Sequence, residues 1–184
     1  MPETRYARPA EIDGETALQL RKQMNMTQQQ FADFLSCSKP TVERMEKNGA
    51  KLKGPTAMLL RLLTQHSELL EYYSIPERRA PLRMWYMFRD RPCTLIDVDL
   101  VHQRVWIKNY VDHLMFRAFG VNEKPSFQDY EAFLRSRCFP ETRDKLKLHL
   151  RELDIPFYDP MMIISKTQGR MAEDEFWIRM DQDT

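Results

Sequence analysis

The first 75 residues carry apolar side chains at the three- and four-residue spacing that is typical of amphipathic helices. Ala17 and Leu20 lie on one face of a predicted first helix, for which Asp13 is a suitable N-cap residue. A second helix is predicted to begin at Thr27, because Thr27 and Gln30 have the spacing of a reciprocal capping pair.

The stretch after this second helix predicts a third short helix with one buried and one exposed face. Ser38 would cap it, and Pro40 lies in its first turn, where a missing N–H has no consequence. Val42 and Met45 point inward at helical spacing. The residues left on the outer face are Lys39, Thr41, Glu43, Arg44 and Lys47.

A fourth helix is predicted from Pro55 to about residue 75. Its apolar side chains are Met58, Leu59, Leu62, Leu63, Leu69, Leu70, Tyr72 and Tyr73. Because one small bundle needs less apolar surface than this, we expect the excess to pack against the second half of the chain or against a twin subunit. The segment from Pro76 to Pro81 combines two prolines with three charges and predicts a domain boundary.

Beyond this boundary, helical spacing gives way to aromatic and β-branched residues that partly alternate with polar ones. Three strands are predicted in LRMWYMFRD and CTLIDVDLVHQRVWIKNY, with residues 99–103 turning a hairpin. Helices are predicted in SFQDYEAFLRSR, ETRDKLKLHLREL and DPMMIISKTQG, and a last strand in EFWIRM.

The predicted fold class is therefore α+β: an N-terminal all-α bundle followed by a small α+β domain with a three- to four-stranded antiparallel sheet. The expected divisions are a flexible arm (1–12), a helical domain (13–75), a linker (76–81) and the α+β domain (82–184).

Composition excludes several classes of protein. Hydrophobic residues make up 42% and charged residues 30% of the chain, which is typical neither of a disordered tail nor of a membrane protein. No apolar run reaches the ~18 residues of a spanning helix, and the N-terminus lacks the apolar core of a secretory signal. Cys37, Cys93 and Cys138 are too far apart for a zinc site or a disulfide framework, so we expect a reducing cytoplasm.

Charge is unevenly distributed, although the net charge is only +1. Residues 39–61 contain six basic and two acidic side chains, whereas residues 76–184 contain eighteen of each. The excess of positive charge marks the third helix and the loop after it as the place where a polyanion would bind.

The stretch MTQQQFADFLSCSKPTVERMEKNG resembles the Xre/Cro-like helix-turn-helix family of bacterial and phage regulators. The resemblance extends from Gly14 to about Leu63, and the continuation GPTAMLLRLL is similar to antitoxin-type regulators of that family. Ser36 stands where the turn usually has glycine, which predicts a slightly altered corner. The residues that carry the resemblance are Thr27, Gln28, Ala32, Ser38, Thr41, Val42 and Glu46.

The resemblance implies a sequence-specific DNA-binding transcriptional regulator, namely a repressor that acts as a homodimer on a palindromic operator at the cytoplasmic nucleoid. Arg44 would contact guanine, Thr41 a thymine methyl and Lys39 a phosphate. Gln28, at a helix start, would hold another phosphate. The predicted DNA-binding residues are Gln28, Ser38, Lys39, Thr41, Arg44, Lys47, Lys51 and Lys53, of which the last three would clamp the DNA backbone.

The second half has no catalytic pattern, so neither an enzymatic activity nor a cofactor or metal is expected. An alternative is a metal-dependent nuclease, in which Asp97 and Asp99 hold Mg²⁺ with His102 or His113 as further ligands. Aspartates at a strand end before a hairpin are also ordinary. Similarly, Arg170 lies in either an anion-binding turn or a plain loop.

The segments FRAFG, DYEAFLRSRCFPETRD, PFYDP and IISKTQGRMAED resemble the C-terminal part of Firmicutes regulators associated with HipA-like kinase toxins. This resemblance implies an alternative function, an antitoxin that binds and neutralises such a toxin and autoregulates its operon. The C-terminal domain would then bind the toxin or contribute to dimerisation; in a plain regulator it would serve dimerisation, partner binding or ligand sensing.

Overall fold

A computed structural model describes residues 11–181 of the 184-residue chain. The chain divides into two compact units, the first ending at Ile75 and the second beginning at Pro76. Most of the expected N-terminal arm, residues 1–10, lies outside the described residues. Ile12 was assigned to the same arm, but it instead pairs with Leu52 in a small antiparallel sheet.

The first unit is helical apart from that sheet. Its elements are β1 (Ile12–Asp13), α1 (Gly14–Gln23), α2 (Gln28–Phe34), α3 (Lys39–Met45), β2 (Lys51–Leu52), α4 (Gly54–Gln65) and α5 (Ser67–Tyr73). Its buried core consists of Ala17, Leu20, Phe31, Ala32, Val42, Leu60 and Leu63. The apolar spacing in the sequence therefore selected the buried face of each of the first three helices correctly. In α4 the buried side chains are Ala57, Leu60 and Leu63, whereas Met58, Leu59 and Leu62 are about 40% exposed.

Gly14 fixes where α1 begins relative to α3. A Cβ atom at this position would lie 2.1 Å from the carbonyl oxygen of Met45, so any larger residue would force the two backbones apart. The N–H of Gly14 donates to the carbonyl of Ala50 at 2.9 Å and extends the contact into the loop that follows α3. The start of the chain's first helix is thus anchored at the end of the third.

The predicted fourth helix is two helices, because the chain breaks at His66. There φ is −124° and ψ is 70°, well outside the helical region. The Thr64 hydroxyl donates to the Leu60 carbonyl at 2.8 Å, and the His66 ring pairs with Glu68 at 3.0 Å. Such local side-chain bonds compete with helix propagation, and Thr, His and Ser are weak helix formers.

The second unit is built on a four-stranded antiparallel sheet with the order β5–β4–β3–β6. Its elements are β3 (Leu82–Phe88), β4 (Arg91–Asp99), β5 (Arg104–Asn109), α6 (Phe127–Ser136), α7 (Leu146–Glu152), α8 (Pro160–Thr167) and β6 (Phe176–Met180), with a 3₁₀ turn at Leu114–Phe116. This arrangement after an N-terminal helical unit confirms the α+β fold class.

Both faces of this sheet carry apolar side chains. On one face Met84, Ile96 and Ile178 pack in a core with side chains of the helices, among them Tyr130 and Ile163. On the other face a smaller cluster holds Trp85, Met87, Leu95 and Tyr110, with Trp177 against it. Burial on both faces explains why the β3 sequence is an almost continuous apolar run.

Side-chain caps set the starts of two helices in this unit. Ser126 and Asp129 form a reciprocal capping box at α6, and the Asp159 carboxylate accepts from the N–H of Met162 at α8. Helix α7 begins five residues later than expected, after Lys145, whose φ of 58° interrupts the backbone. Among residues 11–181, every helix is too short or too polar to traverse a lipid bilayer.

Candidate nucleic-acid interface

The paired helices α2 and α3 form the centre of the candidate site. The Thr27 hydroxyl accepts from the N–H of Gln30 at 3.2 Å, and the Gln30 side chain accepts from the N–H of Thr27 at 2.8 Å, which confirms the predicted capping box. Phe31 and Ala32 of α2 and Val42 of α3 are all buried in the core. The opposite face of α3 is therefore turned outward.

The corner between the two helices contains Ser36 in the left-handed conformation, with φ of 52°. Its N–H donates to the Asp33 carbonyl at 3.1 Å, and the next N–H, that of Cys37, donates to the Ala32 carbonyl at 2.9 Å. The corner thus keeps the backbone that glycine would favour, and the expected alteration is not seen. A serine held there has a conformational cost of about 1 kcal/mol.

Three polar side chains line up along the exposed side of α3. The Ser38 and Thr41 hydroxyl oxygens lie 2.8 Å apart, and an Arg44 guanidinium nitrogen donates to the Thr41 hydroxyl at 3.3 Å. Ser38 makes no capping bond to the helix backbone, because its hydroxyl is engaged with Thr41. The row of Ser38, Thr41 and Arg44, hereafter the recognition row, therefore presents hydroxyl groups and a planar bidentate donor to solvent.

The lysines around the recognition row differ in their partners. Lys39 lies 3.6 Å from Glu43 one turn away, with both side chains about half exposed. The Lys47 side chain makes no ion pair or hydrogen bond with any residue between 11 and 181. Lys51 pairs with Asp13 and Glu11 in the small sheet.

Lys53 and Gln28 are also engaged within the first unit. Lys53 lies 3.6 Å from Glu11. The Gln28 side-chain amide donates to a Glu46 carboxylate oxygen at 2.9 Å, so one of its two N–H groups is committed inside the protein. Of the eight predicted contact residues, the structure groups Ser38, Thr41 and Arg44 in one row and gives Gln28, Lys39, Lys51 and Lys53 separate acidic partners. The Lys47 side chain has no such partner among the described residues.

An ion pair that sequence reasoning missed fixes α3 in place. Arg21 of α1 meets the Glu46 carboxylate with two nitrogens, at 2.6 and 3.0 Å, and donates to the Met26 carbonyl at 2.9 Å. The Arg21 and Glu46 side chains are only 15% and 6% exposed. No local spacing could have revealed the pair, because its members are 25 positions apart.

Hydrogen bonding sets the ionisation of this pair. Burial alone would raise the pKa of Glu46, but hydrogen bonds from Arg21 and Gln28 outweigh it and hold the pKa below its ordinary value. The hydrogen bond to Glu46 raises the pKa of Arg21. The pair therefore remains charged at neutral pH and connects α1, α2 and the C-terminal end of α3.

In the second unit, the suggested carboxylate pair does not converge on a metal site. Asp97 accepts two hydrogen bonds from the buried Arg83 guanidinium, at 2.7 and 2.8 Å. Asp99 instead caps the hairpin turn and contacts the His102 ring at 2.7 Å. His113 contacts the N–H of Met115 at 3.4 Å. No group of three or more His, Cys, Asp or Glu side chains suited to a metal occurs between residues 11 and 181.

Arg170 likewise has partners within its own unit. Its guanidinium lies 4.6 Å from the centre of the Trp177 ring and donates to the Gln168 side chain at 3.1 Å. A cation stacked on an indole ring in this way stabilises the loop between α8 and β6. The geometry corresponds to the plain-loop interpretation of this segment.

Residues 18–63, a quarter of the chain, match the family model HTH_3, described as helix-turn-helix. The match runs from the middle of α1 to the second half of α4 and includes the whole recognition row. Comparison with curated proteins and with solved structures returned no match. Residues 18–63 are therefore similar to helix-turn-helix domains, which supports a DNA-binding transcription regulator.

Proposed function

We propose that this protein is a sequence-specific repressor that reads duplex DNA with α3 lying in the major groove. The observation that carries the proposal is the recognition row, in which hydrogen bonds hold Ser38, Thr41 and Arg44 on the exposed side of α3. The major groove admits one helix, and each base pair presents a distinct set of donors and acceptors there.

Each residue of the row has a chemical role in this proposal. Arg44 donates to O6 and N7 of a guanine, because its planar guanidinium matches two acceptors side by side. Thr41 contacts a thymine methyl group through its own methyl, while its hydroxyl stays bonded within the row. The Ser38 hydroxyl, at the start of the helix, contacts a base edge or a phosphate.

The remaining residues are assigned to the DNA backbone. Lys39, Lys47, Lys51 and Lys53 neutralise phosphates, a sequence-independent contribution to affinity. For Gln28, the amide N–H that is not bonded to Glu46 is the group assigned to a phosphate. The Arg21–Glu46 pair contacts no DNA in this proposal; it holds α3 at the angle that the groove requires.

Selection of bound sequences from random duplex DNA tests the proposal directly. A palindromic motif is expected, and failure to enrich any motif would contradict sequence-specific binding. Arg44→Ala is expected to weaken operator binding by about 1–3 kcal/mol and to relax preference at one base pair. Lys47→Ala is the matched control. It should weaken binding to all duplexes about equally and reduce the slope of log K against log salt concentration by about one.

We further propose that two copies bind the two operator half-sites, which lie ~34 Å apart. The exposed apolar face of α4 supports this proposal, since Met58, Leu59 and Leu62 are each about 40% exposed. Leu59→Glu combined with Leu62→Glu is expected to give a monomer in sedimentation experiments. Leu148→Glu, at a similarly exposed leucine of the second unit, should leave the dimer intact. A monomeric wild-type protein, with and without operator, would contradict the proposal.

An antitoxin function is the second candidate. It is favoured by the C-terminal resemblance and by exposed apolar side chains of the second unit, among them Met115, Val121 and Phe157. In this proposal the second unit binds a kinase toxin while α3 autoregulates the operon. Co-purification of the product of a neighbouring gene, lost when Met115 and Val121 are changed to serine, is the expected result. Co-expression without complex formation would reject it.

A further inference from the structure

The small sheet brings two acidic residues beside two lysines assigned to DNA. Strand β1 pairs antiparallel with β2, with Ile12 opposite Leu52 and Asp13 opposite Lys51. The contact of Gly14 with the end of α3 fixes this register, because no larger residue fits there. Asp13 of β1, and Glu11 just before this strand, therefore lie at the edge of the candidate interface.

The ion pairs at this edge engage both lysines of the loop. Lys51 contacts Asp13 directly and lies 4.0 Å from Glu11, and Lys53 lies 3.6 Å from Glu11. The hydrogen bond from Lys51 to Asp13 raises the pKa of the lysine. Lys47, just before this loop, has no such partner among the described residues. Glu11 and Asp13 thus neutralise part of the positive charge that follows α3.

We infer that Glu11 and Asp13 restrain DNA binding by competing with phosphates for Lys51 and Lys53. The inference rests on the proposed DNA-binding function and describes its regulation. All four side chains are between 41% and 71% exposed, so the lysines can transfer from carboxylate to phosphate without unfolding the sheet. Because phosphate contacts carry no sequence information, the restraint acts equally on operator and random DNA.

The size of the effect follows from the exposure of the pairs. Exposed ion pairs of this kind shift an equilibrium by about 1.4- to 5-fold each. Removing both carboxylates should therefore strengthen DNA binding about 2- to 25-fold.

The test compares Glu11→Gln combined with Asp13→Asn in the full chain with wild type, using fluorescence anisotropy on the selected operator and on a random duplex. The Asp13 side chain makes no capping hydrogen bond to α1, so its replacement by asparagine should leave the helix intact. The control combines Glu15→Gln with Glu68→Gln, which removes the same charge from residues that pair with neither lysine. Only the first variant is expected to bind both duplexes more tightly, by about 2- to 25-fold.

A second comparison separates the effect of the ion pairs on DNA binding from the effect of net charge. In a background of Lys51→Gln and Lys53→Gln, the Glu11 and Asp13 substitutions should have no more effect than the control. An equal gain in the control, or a gain that persists without the lysines, would overturn the inference and leave the proposed function intact. Wild-type protein that binds no duplex would instead overturn the proposed function, and the inference with it.

Discussion

Glu46 is the residue whose replacement most directly tests how the recognition helix is held. It lies at the C-terminal end of α3 and accepts two hydrogen bonds from Arg21 and one from Gln28, and only 6% of its side chain is exposed. Glu46→Gln keeps the shape of the side chain but removes the charge. It leaves Arg21 as a largely buried cation without its counter-ion.

The expected loss of stability is about 3 kcal/mol. Removal of one partner from a buried ion pair typically costs about 3–5 kcal/mol, and the 15% exposure of Arg21 places this pair at the lower end. For a unit of this size, each kcal/mol lowers the melting temperature by about 4–8 °C. We therefore expect a loss of roughly 15 °C in the unfolding of the first unit.

The pH dependence provides an independent signature of the same interaction. Since the folded-state pKa of Glu46 lies below its ordinary value of 4.5, the ionised carboxylate contributes stability above pH 4.5. This contribution is lost as the pH falls through the lowered pKa of the folded state. The difference in stability between wild type and Glu46→Gln should thus be full at pH 7 and shrink below pH 4.5.

Urea titration of the full chain, followed by circular dichroism and by tryptophan fluorescence, measures the effect. Trp85, Trp106 and Trp177 all belong to the second unit, so loss of helix signal without loss of fluorescence locates the change in the first. Glu43→Gln, on the exposed face of α3, is the control and should cost less than about 1 kcal/mol. Equal destabilisation by the two substitutions would refute the role assigned to Glu46.

Three further substitutions probe other parts of the structure. Ser36→Gly should stabilise the protein by about 0.5–1 kcal/mol in thermal unfolding, because glycine adopts the left-handed corner without strain; a loss would show that the serine side chain is needed. Arg137→Met should cost about 3 kcal/mol in urea titration by tryptophan fluorescence, since it leaves the Gly169 carbonyl and Asp174 without their buried donor; unchanged stability would contradict this. Asp97→Ala should destabilise the second unit by about 3–5 kcal/mol, because it leaves Arg83 unpaired. A loss of stability that occurs only in the presence of Mg²⁺ would instead indicate a metal site.

Local sequence signals were sufficient for most helices and strands and for the cap at Thr27, whereas Asp13 and Ser38 make no side-chain capping bond. Two capping boxes, Thr27 with Gln30 and Ser126 with Asp129, each join residues three positions apart. The hydrogen bonds that start these two helices therefore depend on one short stretch of sequence. Alternation and β-branching likewise predicted the strands of the sheet. The recognition row was also accessible, because residues three apart on a helix share a face.

Tertiary structure decided which of these side chains have partners, because those partners are distant in the chain. Arg21 meets Glu46 across 25 positions, and Lys51 meets Asp13 across 38, distances at which no spacing rule applies. The helix breaks at His66, where side-chain hydrogen bonds of Thr64 and His66 compete with helix propagation. The spacing of apolar residues does not predict such bonds. Sequence by itself determined the elements and the outward face of α3, since both follow from short-range backbone geometry. Folding alone determined which charges are neutralised, since ion pairs depend on where separate elements meet in space.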